Sequence, residues 1–340
     1  MKILFLLDAA PDYRELFLRE LGKKCDLTVV SYPSSFYKLT PPDKRLNYSY
    51  LQLNPGDETS KYLNNGLSSI IRSEKPDIVC ASLNLKYPAR IADFLRQKKH
   101  VPWIWWGQIF GRLSFLDPVK KLLVNLADGT LVYSNDIKNR LNNDRVISFN
   151  NSQHSVNDFR KTKNVIGKQI HCLFVGRPQE RKKLHLAVKF AFEREDIVIR
   201  LVGPGMLSYF NGSKLPKNIQ LYDAAYGKEL AAHFSWANAV LNPGHAGLLV
   251  MNAAAHNRPI IINSSVKHAP EIELAKRSNQ FFTDFEDRAH LHTLFNKFFD
   301  NSNLLQRKGD QLYELAKSEY TVEYMVESHL KMFEKLESEN

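Results

Sequence analysis

Two stretches of the chain combine glycine with groups that bind anions. The first is Phe174-Val175-Gly176-Arg177-Pro178-Gln179-Glu180-Arg181-Lys182-Lys183. Gly176 ends an apolar run and lets the backbone turn tightly, and the basic residues that follow are expected near the start of a helix. Cations and free backbone N–H groups together favour a phosphate there. Glycine does not directly precede the lysine and no hydroxyl follows it, so this is not a Walker A loop. The second stretch runs from Asn242-Pro243-Gly244-His245-Ala246-Gly247-Leu248 through Asn252 to Pro259. A strand is expected to end at Asn242 and a helix to start near Gly247, so the amides of Gly247 and Leu248 would form a second anion-binding helix start. Ala253, Ala254 and Ala255 let that helix pack close to its sheet.

The elements that must position these groups alternate along the chain. Strands are expected at Lys2–Leu7, Leu27–Tyr32, Asp77–Leu83, Val101–Trp106 and Gly129–Tyr133. Helices fall between them at Tyr13–Lys24, Thr59–Glu74, Pro88–Gln97 and Pro118–Leu126. A polar, aperiodic stretch between Asn150 and Lys168 reads as a linker. The alternation then resumes with strands at Ile170–Val175, Ile197–Val202, Ala239–Leu241 and Pro259–Ile262 and helices at Lys183–Glu193, Lys228–Trp236 and Leu248–His256. This order predicts two doubly wound α/β domains with largely parallel sheets, 1–160 and 161–320, whose loops meet at a cleft. A last amphipathic helix, 321–340, carries Val322, Met325, Val326, His329, Phe333 and Leu336 on one side.

Composition narrows the chemistry. A chain of 340 residues, 44% hydrophobic, suffices for two cores. Three widely separated cysteines offer neither a disulfide framework nor a zinc pair. The apolar run Ile3–Leu7 stops at Asp8, too short for a signal peptide, and no run is long enough to cross a bilayer. The expected location is the cytoplasm, free or peripheral on the inner face of the membrane. A net charge of +11 calls for an anionic partner or surface. No Asp-x-Asp occurs, and His290 and His292 point different ways on a helix, so no metal site is expected. Trp103 and Trp105 share a strand face and read as core.

Together the two glycine-containing stretches resemble family 4 of the glycosyltransferases, enzymes of the GT-B fold. Gly176-Arg177 with Lys182 is similar to that family's strand-end Gly-Arg pair and lysine. Ile199–Gly205, the helix from Tyr226-Gly227, the loop from Asn242 to Pro259, and His268-Ala269-Pro270-Glu271 extend the likeness over roughly 169–284. The resemblance implies a retaining, metal-independent hexosyltransferase with a nucleotide sugar as co-substrate and no further cofactor. Arg177, Lys182 and His245 would act on the donor diphosphate and sugar, with Gly176, Gly244, Gly247, Leu248, Asn252 and Glu271 around them. Relatives often carry glutamates where Gly244 and Asn252 stand and a histidine where Gln108 stands; the loop here resembles a Pro-Gly-x-x-Gly-Leu variant.

In the first half the likeness is confined to the opening strand, the Pro11–Arg14 segment, the Trp106-Gly107-Gln108 turn and 128–133. It implies an acceptor site at Tyr13, Arg14 and Gln108 for a glycan or lipid-linked acceptor, as in surface polysaccharide or lipopolysaccharide synthesis. Basic helices at Pro88–Lys99 and Pro118–Leu126 would suit anionic lipid. Nucleic acid is not expected as a partner. The competing readings are a non-catalytic nucleotide-sugar or nucleic-acid binder on the same fold, and a sugar-nucleotide epimerase.

Overall fold

The computed structural model describes residues 1–37, 39–53, 67–111, 114–301 and 303–339. The chain divides into two compact units: Met1–Gln153 together with Val322–Asn340, and His154–Thr321.

The sheet of the first unit is built from β1 (Lys2–Ala9), β2 (Asp26–Tyr32), β3 (Ser49–Gln52), β4 (Ile78–Ser82), β5 (Trp103–Gly107), β6 (Gly129–Val132) and β7 (Val146–Ser148). Its order is β3-β2-β1-β4-β5-β6-β7, with every pair parallel. Central strands such as β4 and β5 are buried along their whole length, as a sheet covered by helices on both faces requires. Trp103 and Trp105 are fully buried against Phe94, in the core as expected. The helix Val322–Ser338 returns to this unit. It packs Val322, Met325, Phe333 and Leu336 into the core that holds Phe5, Phe17 and Trp106.

The second unit holds β8 (Ile170–Val175), β9 (Ile197–Val202), β10 (Ile219–Tyr222), β11 (Ala239–Asn242), β12 (Ile260–Asn263) and β13 (Phe281–Thr283), again all parallel, in the order β10-β9-β8-β11-β12-β13.

Both orders reverse direction once. In the first sheet the chain winds outward from β1 through β2 and β3, then restarts at β4 on the other side. In the second it winds from β8 through β9 and β10, then restarts at β11. Loops leaving the two strands at such a reversal diverge and leave a crevice at their carboxyl ends, where open α/β sheets bind ligands. The topology therefore singles out the loops after β1 and β4 in one unit and after β8 and β11 in the other.

The segment expected as a polar linker starts inside the first unit. Asn150, Asn151 and Ser152 are buried. Asn150 Oδ1 accepts a hydrogen bond from Ser148 Oγ at 2.8 Å, and Asn151 Oδ1 accepts one from Arg14. Hydrogen bonding in place of solvation explains why this stretch shows no apolar period. Phe159, further along, already belongs to the second core. Of the helix expected at 59–74, Leu67–Glu74 is present and the earlier part lies outside the described residues.

Candidate functional site

In the second unit the loops after β8 and β11 are fastened together. Beyond β8, Gly176 takes a φ of 150° and Arg177 lies exposed. Gln179 precedes a single 3-10 turn, Glu180–Lys182, and Lys183 follows in the left-handed region at φ 47° before the helix Leu184–Glu193 begins. This corrects the expectation that the basic run opens an α-helix: Lys182 belongs to a separate turn, set apart by the backbone reversal at Lys183. That turn faces the β11 loop. The His245 N–H donates to Arg181 O at 2.8 Å, and Lys182 Nζ donates to His245 O at 2.7 Å.

Gly244 fits where no side chain would. A Cβ there would lie 2.4 Å from both Arg181 O and the Lys182 carbonyl carbon. The glycine at this position is a packing requirement of the loop. Asn242 Nδ2 donates to Gly244 O at 2.6 Å, and Asn263 Nδ2 donates to Pro243 O at 2.7 Å, so the loop is braced from the ends of two adjacent strands. His268 braces it further: its Nδ1 accepts from the Ala246 N–H at 3.1 Å while its Nε2 faces Asn263 O at 2.9 Å. That pairing fixes the neutral tautomer with the proton on Nε2, and burial holds the ring's pKa below its ordinary value.

Lys182 is half-buried. Burial, and secondarily the neighbouring Arg181, pull its pKa down to about 8, with the charge of buried Glu271 acting in the opposite direction. One of its three N–H groups is used by His245 O, and the other two have no protein acceptor among the described residues. A partly desolvated ammonium beside a glycine loop gains most from an anion.

Two of the expected donor-site residues have partners within this unit. The Asn252 Oδ1 lies 2.8 Å from His154 Nε2. His245 reaches the site through its peptide group, and its ring Nδ1 lies 2.8 Å from Lys267 O. Gly247 and Leu248 form the turn immediately before the helix Leu249–Ala255.

In the first unit, a cavity of about 750 Å³ opens between the loops after β1, β4 and β5, and Tyr13, Arg14 and Gln108 all line it. Sequence reasoning missed several of its other groups. The Asp8 carboxylate, at the end of β1, accepts from Arg90 Nη1 at 2.6 Å and from Asn84 Nδ2 at 2.8 Å. Arg14 is buried, with its guanidinium over the rings of Trp106 and Tyr133. Beneath it, Trp106 Nε1 donates to His329 Nε2 at 2.9 Å, while His329 Nδ1 donates to Met325 O. His329 is therefore neutral, its pKa depressed by burial to about 3. Ile109 in the cavity wall has a φ of 53°, a strained conformation for a β-branched residue of the kind that clusters at ligand sites. Asp8 at a strand end was the available signal, since a carboxylate that terminates a buried strand at a sheet's reversal lies where ligands bind.

Among the described residues no cluster of His, Cys, Asp or Glu has the makings of a metal site. His292 is engaged with Glu193 at 2.9 Å. No helix of the described residues is long and apolar enough to cross a membrane.

No protein-family model matches the chain, and no curated protein matches it in sequence. Solved structures do match over its whole length. Sucrose-phosphate synthase from Thermosynechococcus elongatus superposes with a TM-score of 0.74 at 13% identity, covering 100% of both chains. The lipopolysaccharide outer core galactosyltransferase WaaB gives 0.71 at 13% identity over 98% of this chain and 99% of its own. HepE from Anabaena, in complex with UDP and glucose, gives 0.67 at 13% identity over 98% of this chain and 100% of its own. The chain has the two-domain α/β fold of these GT-B glycosyltransferases.

Proposed function

We propose that the chain is a glycosyltransferase of family 4 that moves a sugar from a nucleotide sugar to a glycan or lipid-linked acceptor, with retention and without a metal ion. The observation that supports this most is the half-buried Lys182, hydrogen-bonded into the Gly244–His245 loop at the reversal between β8 and β11. That is a cation held for an anion at the position where open α/β sheets bind nucleotides.

In this reading the donor diphosphate contacts Lys182, Arg177 and the amides of Gly247 and Leu248. These groups neutralise the charge that develops as the bond from the anomeric carbon to the phosphate oxygen breaks. The acceptor hydroxyl attacks the anomeric carbon from the leaving-group side and passes its proton to the departing phosphate oxygen. Lys182, a cation fixed by the loop, does the charge neutralisation that a metal performs elsewhere. The charge of Glu271 partly offsets the effect of burial on Lys182, and His268 holds the loop. The acceptor occupies the cavity at Tyr13, Arg14 and Gln108.

A ridge on the first unit supports a lipid-linked acceptor. Val119, Leu122 (58% exposed) and Leu126 line up along the helix Asp117–Leu126, with Phe115, 73% exposed, in the turn just before it and Lys121 beside them. Exposed Leu95 and Arg96 lie on the helix Pro88–Gln97, whose following Lys98 donates to Leu126 O at 3.0 Å. Apolar groups flanked by cations suit the interface of an anionic bilayer, in keeping with surface polysaccharide or lipopolysaccharide synthesis on the inner face of the membrane.

The test is transfer itself. Wild-type protein is incubated with UDP-, GDP- and dTDP-sugars and candidate acceptors, with and without EDTA, and the product anomer is read by NMR. A retained anomer formed at an unchanged rate in EDTA is expected. An inverted product, or a rate abolished by EDTA and restored by a divalent cation, contradicts the mechanism.

A further inference from the structure

A guanidinium removed from water is normally left with its N–H groups bonded and its charge met by a carboxylate, because a buried ion lacking either is costly. Arg14 has neither in full. It is 5% exposed, and it donates to Asn151 Oδ1 at 2.5 Å and to Tyr133 Oη at 2.9 Å. Both acceptors are neutral. Three of its five N–H groups find no protein acceptor among the described residues, and it joins no ion pair there.

The surroundings do not supply the missing charge. Asp8, the one carboxylate among the described residues lining the same cavity, is taken by Arg90 and Asn84. A second cation in the wall, Lys120, is 7% exposed, with its amine 3.7 Å from Asp117 Oδ1, a carboxylate whose other oxygen lies 3.3 Å from Arg140. Exposed Lys86 adds a third. Three cations thus line a cavity of about 750 Å³ against one carboxylate that is already paired.

We propose that this cavity takes a sugar bearing an anionic group, a phosphate or a carboxylate, and that Arg14 is the residue that reads the anion. The planar guanidinium fork matches paired oxygens, and Asn151, Tyr133 and the ring of Trp106 hold it in one orientation before the ligand arrives. Lys120 and Lys86 add positive potential without fixing geometry. Tyr13, with its ring 5.5 Å from the Arg14 guanidinium carbon, offers a face for the sugar. The inference rests on the reading of this cavity as the acceptor site and narrows the acceptor to an acidic or phosphorylated one.

The test is calorimetric titration of the full chain, without any nucleotide, using glucose 6-phosphate, glucuronate and glucose as probes, with UDP titrated in parallel. At least one charged sugar is expected to bind about tenfold or more tightly than glucose, the difference expected of a charge-assisted hydrogen bond. Which of the two binds distinguishes phosphate from carboxylate. Arg14→Gln should remove the preference and Arg14→Lys should retain part of it. Because a buried arginine can be needed for folding, the exposed Lys86→Ala serves as the independent variant and should reduce the preference severalfold. Equal affinity for all three sugars, or no binding of any, overturns the proposal. So does a folded Arg14→Gln that still binds UDP and keeps its preference for the charged sugar. UDP binding without a charge preference defeats this inference alone, whereas a charge preference without nucleotide binding defeats the donor reading alone.

Discussion

The two units solve the same topological problem in opposite ways. Each sheet reverses direction once, and each places its candidate site at that reversal. In the second unit the diverging loops are drawn together: Gly244 lets the β11 loop touch the backbone of the Arg181–Lys182 turn, and one lysine is fixed by a peptide carbonyl. In the first unit the loops stay apart, and the space between them is lined by cations, an ion-paired Asp8 and aromatic rings. A closed, backbone-built site suits a ligand whose anionic part is always the same. An open cavity built from side chains suits one that varies.

Glycine substitutions should separate the two designs most sharply. Gly244→Ala drives a methyl group to 2.4 Å from backbone atoms that cannot yield. A loss of about 1–3 kcal/mol in stability is expected, together with loss of nucleotide binding. Gly111→Ala in the cavity wall meets only Lys120 Nζ at 3.7 Å, an ordinary contact, and should shift stability by less than about 0.5 kcal/mol. Thermal unfolding of the pair checks this; equal effects would break the comparison.

Next in size is Lys182→Ala, expected to weaken UDP by about ten- to a hundredfold, as removing a charged hydrogen bond does. Binding of sugars in the first unit should be unchanged. Calorimetry with both ligands reads both.

A pH series sharpens the contrast further. Lys182, with a pKa near 8, is charged below that value, so affinity for UDP should hold at neutral pH and fall as pH rises through about 8. Below saturation the fall approaches tenfold per pH unit if charge alone decides binding. Binding near pH 8 should also take up protons.

A separate effect is expected in the acid limb of stability. His329 in the first unit and His256 in the second are held neutral by burial, with pKa values of about 3 and about 4 against an ordinary 6.5. Both pKa values are depressed on folding, so the unfolded chain binds the extra protons. Stability is intact above about pH 6.5 and declines as pH falls towards the folded values. Each group adds a slope of up to about 1.4 kcal/mol per pH unit. His329→Gln, which keeps an acceptor for Trp106 Nε1, should flatten this limb in chemical denaturation; an unchanged slope would place the acid sensitivity elsewhere.

The strands that could be read from sequence are the interior ones. β1, β2, β4, β5, β6, β8, β9, β11 and β12 all announce themselves as apolar runs. The strands that escaped, β3, β7, β10 and β13, are the four sheet edges. Edge strands are short and partly exposed, as Ser49–Gln52 shows with no buried residue, so nothing in their composition marks them.

The site divides in a similar way. The contact between the Lys182 turn and the glycine loop joins two segments that local spacing marks in the sequence. The surroundings of Arg14 are not so marked, because Asn151, Tyr133 and His329 come from distant segments, and their polar partners meet only when the sheet forms. Gly244 illustrates the limit best: the sequence shows a glycine in a loop, but only the backbone of Arg181 and Lys182 shows that no side chain would fit there.

The most direct test of the central claim is calorimetric titration of wild type, Arg177→Ala and Lys182→Ala with UDP-, GDP- and dTDP-sugars at pH 7. The account predicts that at least one nucleotide sugar binds the wild type and is weakened at least tenfold in both folded variants. Failure of every nucleotide sugar to bind the folded wild-type chain, or binding that Lys182→Ala leaves intact, would contradict it.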